Sequence, residues 1–144
     1  MKTPTKIDDA LLLAQFSQMY RSAIDSFMDT LGMYRGQSLL LCTVRKQDGM
    51  TQSEIAEALS VQGATVTNML KRLEEAKLVV RRRDPEDNRL VRVYITEEGR
   101  ALEEAIGERL KHLEESILSG LNPQERETLR QLVWKMIANM GESC

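Results

Sequence analysis

Leu12, Phe16, Met19, Ala23 and Phe27 recur at spacings of three and four between Asp8 and about Asp29, the interval that gathers side chains on one face of a helix. That stretch predicts a long amphipathic helix. Gly32 and Gly36 punctuate the chain after it, and Gln37 to Lys46 carries a second apolar run, expected as a largely buried helix closed by the turn-forming pair Asp48-Gly49. The strongest local start signal is Thr51-Gln52-Ser53-Glu54, a capping-box pattern in which the Thr side chain takes an unpaired helix amide and the Glu reaches back. A short helix follows through Ile55, Ala56 and Leu59. After the break Ser60-Val61-Gln62-Gly63, Ala64 opens another helix with Val66, Met69, Leu70 and Leu73 as its apolar positions.

The period then changes. Leu78 to Arg82 and Leu90 to Ile95 are rich in branched residues, and Val91, Val93 and Ile95 alternate with Arg92 and Tyr94, as in a half-buried strand. Between them Asp84-Pro85-Glu86-Asp87-Asn88-Arg89 is turn-forming, so the segment reads as a hairpin with a polar, partly basic tip. Thr96 is the expected cap of a helix carrying Leu102, Ile106, Leu110, Leu113 and Ile117 on one side. Asn122-Pro123-Gln124-Glu125 supplies an N-cap, a proline at the first helical position and a capping Glu. The last helix presents Leu129, Leu132, Val133, Met136, Ile137 and Met140.

The 144 residues fit one domain, 1–144, and leave no room for a separate enzyme domain. A hydrophobic fraction of 42% against 29% charged is ordinary for a soluble globular chain. The longest apolar runs, such as Leu11 to Ala14 and Leu39 to Cys42, are too short to span a bilayer, and the N-terminus shows no basic segment followed by a hydrophobic core. A cytoplasmic protein without a membrane partner is expected. Cys42 and Cys144 do not make a disulfide framework and suit a reducing compartment.

Net charge is −2, which by itself argues against nucleic acid, because phosphate binding requires local positive charge. Distribution alters that reading. From Lys71 to Arg92 there are eight basic and five acidic residues, so a basic segment sits on an acidic body. One face is thereby suited to an anion, although the same charge run also reads as solvated surface.

No reactive constellation emerges, so neither a catalytic nor a metal site is expected, and no cofactor. His112, the only histidine, has Glu108 and Glu115 about one turn away, a pattern that reads as a solvated salt-bridge network. The glycines are scattered singly and form no phosphate loop. Cys42, with Arg45 three residues on, reads as a small core hydrophobe, with an oxidation sensor as the alternative. Phe16, Met19, Tyr20, Met33, Tyr34 and Gln37 are the candidates for lining a cleft for an apolar or aromatic small molecule, though core packing explains most of them equally well.

Helix, tight turn, helix and basic hairpin in this order make a winged helix-turn-helix, in which the second helix enters the major groove and the hairpin, or wing, approaches the neighbouring minor groove. The fold class is therefore mainly α with a small β-hairpin wing, and the partner is double-stranded DNA. Gln62, Gly63 and Ala64, at a helix N-terminus, are placed to approach the DNA backbone. Asn68 matches an adenine, Thr65 and Thr67 a thymine methyl or a phosphate, and Lys71 and Arg72 phosphates. Thr51, Gln52 and Ser53, at the start of the first short helix, complete this set. A winged-helix module that binds protein instead of DNA is the alternative from another class.

Leu78-Val79-Val80-Arg81-Arg82-Arg83-Asp84-Pro85-Glu86-Asp87-Asn88-Arg89, followed by Val93-Tyr94-Ile95-Thr96-Glu97-Glu98-Gly99, resembles the wing signature of the MarR family of multiple-antibiotic-resistance-type regulators. Thr51-Gln52-Ser53-Glu54-Ile55-Ala56 and Thr65 to Glu74 resemble that family's two short helices. The chain departs from the common pattern at Gln62-Gly63-Ala64, where Ser-Pro-Ser is frequent, and at Asn68 and Asn88, where Arg is frequent. The resemblance implies that Asp87 orients Arg89 at the wing tip and that Arg89 enters the minor groove. It also implies a reading head over about 36–96 and a homodimer built by helices over about 8–30 and 97–141. An independent reason for a dimer is the broad apolar face of the last helix. A phenolic or other aromatic acid binding between the dimer region and the reading head would then release DNA, as expected of a repressor.

Overall fold

The computed structural model describes residues 8–143, so Cys144 lies outside the described residues. Helix α1 spans Asp9–Thr30, with Asp8 as N-cap accepting from the Ala10 amide at 3.3 Å. Helix α2 spans Arg35–Lys46, two residues longer at its start than the apolar run suggests. Its N-cap is Tyr34, whose amide donates to the Gln37 side chain at 2.9 Å. Only one stripe of α2 is buried, formed by Gln37, Leu40, Leu41 and Val44, while Leu39 is exposed. The expectation of a largely buried helix is therefore corrected: the run is continuous in sequence, but a helix turns successive residues to different sides.

Strand β1 is only Met50–Thr51, too short to announce itself by alternation. Helices α3, Gln52–Leu59, and α4, Gly63–Glu75, are followed by strands β2, Val79–Arg83, and β3, Val91–Ile95. The sheet is antiparallel in the order β1-β3-β2, with Met50 opposite Val93 and Val79 opposite Ile95. Helix α5 covers Glu97–Ile117 and α6 Pro123–Ser143.

Two compact units part between Ile106 and Gly107, within α5. The core of the first contains Leu40, Leu41, Val44, Ile55, Val66, Leu70, Leu73, Val79 and Val93, all essentially inaccessible. Each such side chain contributes roughly 1.5–3 kcal/mol over its exposed state, so the two reading helices and the wing share one stabilised base. Thr96 caps α5 by accepting from the Gly99 amide at 3.0 Å. At Gly99 an added Cβ would lie 2.1 Å from the Leu78 carbonyl oxygen, so only glycine allows the helix to start this close to the strand.

In the second unit, Asn122 and Glu125 exchange side-chain-to-amide bonds of 2.9 Å each and so open α6. Arg126 donates to the Leu118 and Leu121 carbonyls, closing the preceding turn. Leu132, Trp134, Ile137 and Met140 are exposed on α6.

Candidate nucleic-acid interface

Thr51 caps α3 as its sequence suggests: its hydroxyl accepts from the Glu54 amide at 3.3 Å and its amide donates to the Glu54 carboxylate at 2.8 Å. Ser60 ends α3 in the left-handed conformation, φ 53°, and the tight turn delivers the chain into α4. Gln62 is the N-cap of α4 without any side-chain bond, and a Cβ on Gly63 would meet nothing within 4 Å. The first turn of α4 is thus open for close approach, with the positive end of the helix dipole outward. Helix α4 begins at Gly63 rather than Ala64.

Val66, Leu70 and Leu73 point inward, leaving Thr65, Thr67, Asn68, Lys71 and Arg72 on the exposed face. Two predicted contact residues are already engaged. The Gln52 amide donates to the Gly63 carbonyl at 3.3 Å and to the Thr67 hydroxyl, and that hydroxyl donates to the Gly63 carbonyl at 2.9 Å. Gln52 and Thr67 therefore tie α3 to the first turn of α4 and leave outward only what remains, notably the Thr67 methyl. Ser53, Thr65, Asn68 and Lys71 have no such internal partner among the described residues.

At the wing tip Arg89 donates to both oxygens of Asp87, Nε to Oδ1 at 3.1 Å and Nη2 to Oδ2 at 3.3 Å, and its own amide donates to Oδ1 at 3.1 Å. Yet the Arg89 side chain is 89% exposed. A carboxylate holds the guanidinium from behind and leaves its outer edge to solvent. Sequence reasoning assigned no role to Asp84 and Arg92, which form the base of this arrangement. Arg92 Nε donates to Asp84 at 2.6 Å and Nη1 to the Gly49 carbonyl at 2.9 Å, while Asp84 also accepts the Glu86 and Asp87 amides at 2.7 and 3.1 Å. The bond to Arg92, then those two amides, hold the Asp84 carboxyl below its ordinary range. The Arg89 side chain and amide do the same for Asp87.

The basic segment is less uniform than a charge count implies. Arg81 pairs with Glu74 at 2.8 Å, Arg89 with Asp87 and Arg92 with Asp84. Lys71, Arg72, Lys77, Arg82 and Arg83 have no carboxylate partner among the described residues. Arg82 lies over the Tyr94 ring at 5.8 Å, and Arg72 over the Tyr34 ring at 5.2 Å.

The candidate ligand residues are not gathered in one place. Phe16, Met19 and Tyr20 are exposed on α1, the two rings stacked with centroids 6.0 Å apart, whereas Met33 and Gln37 are buried. Tyr34 walls two clefts: one of about 610 Å³ with Gln37, Asn68, Met69 and Arg72, and one of about 300 Å³ with Met28 and Met33. Arg45 does not sit unpaired beside Cys42; it bonds to Glu103 and, at 2.8 Å, to Glu104. His112 is exposed, and no group of three or more metal-ligating side chains occurs among the described residues. No described helix is long and apolar enough to cross a membrane.

A sequence profile of the MarR family matches residues 33–91. The uncharacterized HTH-type transcriptional regulator YwoH of Bacillus subtilis is 31% identical over 118 residues, 82% of this chain and 85% of YwoH. The HTH-type transcriptional repressor NicR of Pseudomonas putida is 35% identical over 101 residues, 70% of this chain and 64% of NicR. Among solved structures, MepR, a transcription regulator of a Staphylococcus aureus multidrug efflux pump, superimposes with a TM-score of 0.81 at 28% identity over 93% of this chain and 99% of MepR. MepR in complex with DNA gives 0.70 at 27% identity over 95% and 99%. BpsR of Bordetella bronchiseptica, whose DNA binding is regulated by 6-hydroxynicotinic acid, gives 0.69 at 28% over 94% and 97%. Profile, relatives and fold agree with the helix-turn-helix and wing built above: the chain belongs to the MarR family and is a DNA-binding transcriptional regulator.

Proposed function

We propose that this regulator is a cytoplasmic homodimeric repressor of a near-palindromic operator, released by a small aromatic or phenolic effector. The observation that carries the DNA-reading part is the Asp87–Arg89 fork, with a fixed guanidinium almost fully exposed at the tip of a hairpin. A planar, permanently charged group suits a narrow minor groove. Asn68 reads adenine, Thr65 and the Thr67 methyl read thymine, and Lys71, Arg72, Ser53 and the open amides at Gly63 and Ala64 bind phosphate. Thr51 and Gln52 act by holding α3 and α4 in place.

The dimer reading is supported by exposed apolar side chains on α1, including Leu12, Phe16 and Met19, and on α6, including Leu132, Trp134 and Ile137. Patches of this kind are a liability unless a partner covers them. Two copies of α4 about 34 Å apart would read adjacent major grooves. Repression is favoured by the name of NicR, and release by a ligand by the BpsR structure. Within this chain the larger cleft walled by Tyr34 adjoins α4, so an effector there would act on the reading helix directly.

Selection of bound fragments from genomic DNA, followed by footprinting, tests the proposal. The expected footprint has two half-sites one helical turn apart, weakened by an effector; 6-hydroxynicotinic acid is the first probe. A single unpaired half-site, or no enrichment, would refute the reading.

A further inference from the structure

We propose that Asp84 and Arg92 are positioning residues for DNA binding, which set the wing-tip turn so that Arg89 projects into the minor groove. The inference rests on the minor-groove reading of Arg89. Its basis is a continuous chain of bonds from the scaffold to the tip. Gly49, in the turn before β1, has φ +83° and its amide donates to the Val93 carbonyl at 2.9 Å. Its carbonyl receives Arg92 Nη1, Arg92 Nε reaches Asp84, and Asp84 takes the amides of Glu86 and Asp87. Asp87 in turn holds Arg89. The two base residues are the more buried, 14% exposure for the Asp84 side chain and 30% for Arg92, against 35% for Asp87 and 89% for Arg89 at the tip.

The strand register supplies a second, independent argument. Arg82 stands directly opposite Arg92, and like charges facing each other across a sheet oppose pairing. Asp84 neutralises one of them, while Arg82 turns to the Tyr94 ring. The bond from the Asp84 amide to the Leu90 carbonyl, 2.9 Å, and that from the Leu90 amide to the Asp87 carbonyl, 3.0 Å, then close the loop. Asp84 is an acceptor and Arg92 commits Nε and Nη1 inside the wing, so the effect on DNA proposed for this pair passes through the tip.

The test is a double-mutant cycle on the full chain, using a duplex selected by the wild-type protein and a second duplex in which the A·T run under the wing is replaced by G·C. Asp84→Asn is expected to weaken binding by about tenfold, the scale of losing a charge-assisted bond, and to reduce the preference for the A·T duplex. In an Arg89→Ala background the same substitution is expected to cost nothing further. Where Asp84→Asn does not fold, Arg92→Lys takes its place, since an ammonium keeps the charge but not the two-directional reach of a guanidinium. Wild-type affinity for the positioning variant, or an equal loss in both backgrounds, would overturn the positioning role while leaving Arg89 intact. Unchanged affinity in Arg89→Ala alone would overturn the minor-groove reading and the positioning role with it.

Discussion

The Arg72 guanidinium lies 5.2 Å from the centre of the Tyr34 ring, linking the exposed face of α4 to the N-cap of α2. At an exposed site a cation over an aromatic ring contributes about 0.5–1 kcal/mol, and here it also orders a side chain assigned to phosphate. Tyr34→Leu is expected to weaken DNA binding about two- to fivefold, while Tyr34→Phe, which keeps the ring face, stays near wild type. Fluorescence anisotropy on the selected operator measures both. Equal losses for Leu and Phe would assign the effect to the phenol oxygen instead.

Gln52 reaches across the helix-turn-helix to Gly63 and Thr67. Gln52→Ala is expected to lower stability by about 1 kcal/mol, the scale of a lost internal hydrogen bond, and to reduce discrimination between operator and scrambled duplex. Urea unfolding and competition binding report the two effects. An unchanged specificity ratio would make Gln52 merely structural.

Asp84 and Asp87 both have folded carboxyls held below the ordinary Asp value. A depressed folded value means that the unfolded chain takes up protons first as pH falls. The wing contribution is therefore fully present above about pH 4, the unfolded Asp range, and is lost as pH drops through the depressed values. Carboxyl NMR titration should show both groups more than half ionised at the unfolded midpoint, and Arg89→Ala should move Asp87 back upward with Asp84 unaffected. Titration of Asp87 at its ordinary value in the wild type would contradict the fork.

Gly99→Ala places a methyl 2.1 Å from the Leu78 carbonyl oxygen, against backbone that cannot rotate away. The expected cost is roughly 1–3 kcal/mol or more, read as a lower urea midpoint. Gly107→Ala, where nothing lies within 4 Å, should be neutral or stabilising because alanine favours helix.

Most of this architecture was legible because local signals agreed with one another. Thr51 and Glu54, Asn122 and Glu125, and the inward stripe Val66, Leu70 and Leu73 mark their elements by spacing alone. What spacing cannot carry is contact between elements distant in sequence. Arg92 with Gly49, and Gln52 with Thr67, are 43 and 15 residues apart, and nothing in composition distinguishes a cation bound to a carbonyl from one facing solvent. The α2 start was missed for a local reason: Tyr34 is an unusual N-cap, assisted by Gln37. Equally, Phe16, Met19, Tyr20, Met33, Tyr34 and Gln37 were candidates for one cleft on residue type, and residue type does not say what lies opposite each side chain.

A basic, wing-bearing head on an acidic chain is expected to bind DNA through Lys71, Arg72 and Arg89 of each protomer. Measuring Kd for a mixed-sequence duplex against salt concentration tests it most directly. Three cations from each of two protomers predict binding at 50 mM salt and a slope of log affinity against log salt of about −5. Absence of binding at low salt, or a slope near zero, would contradict it.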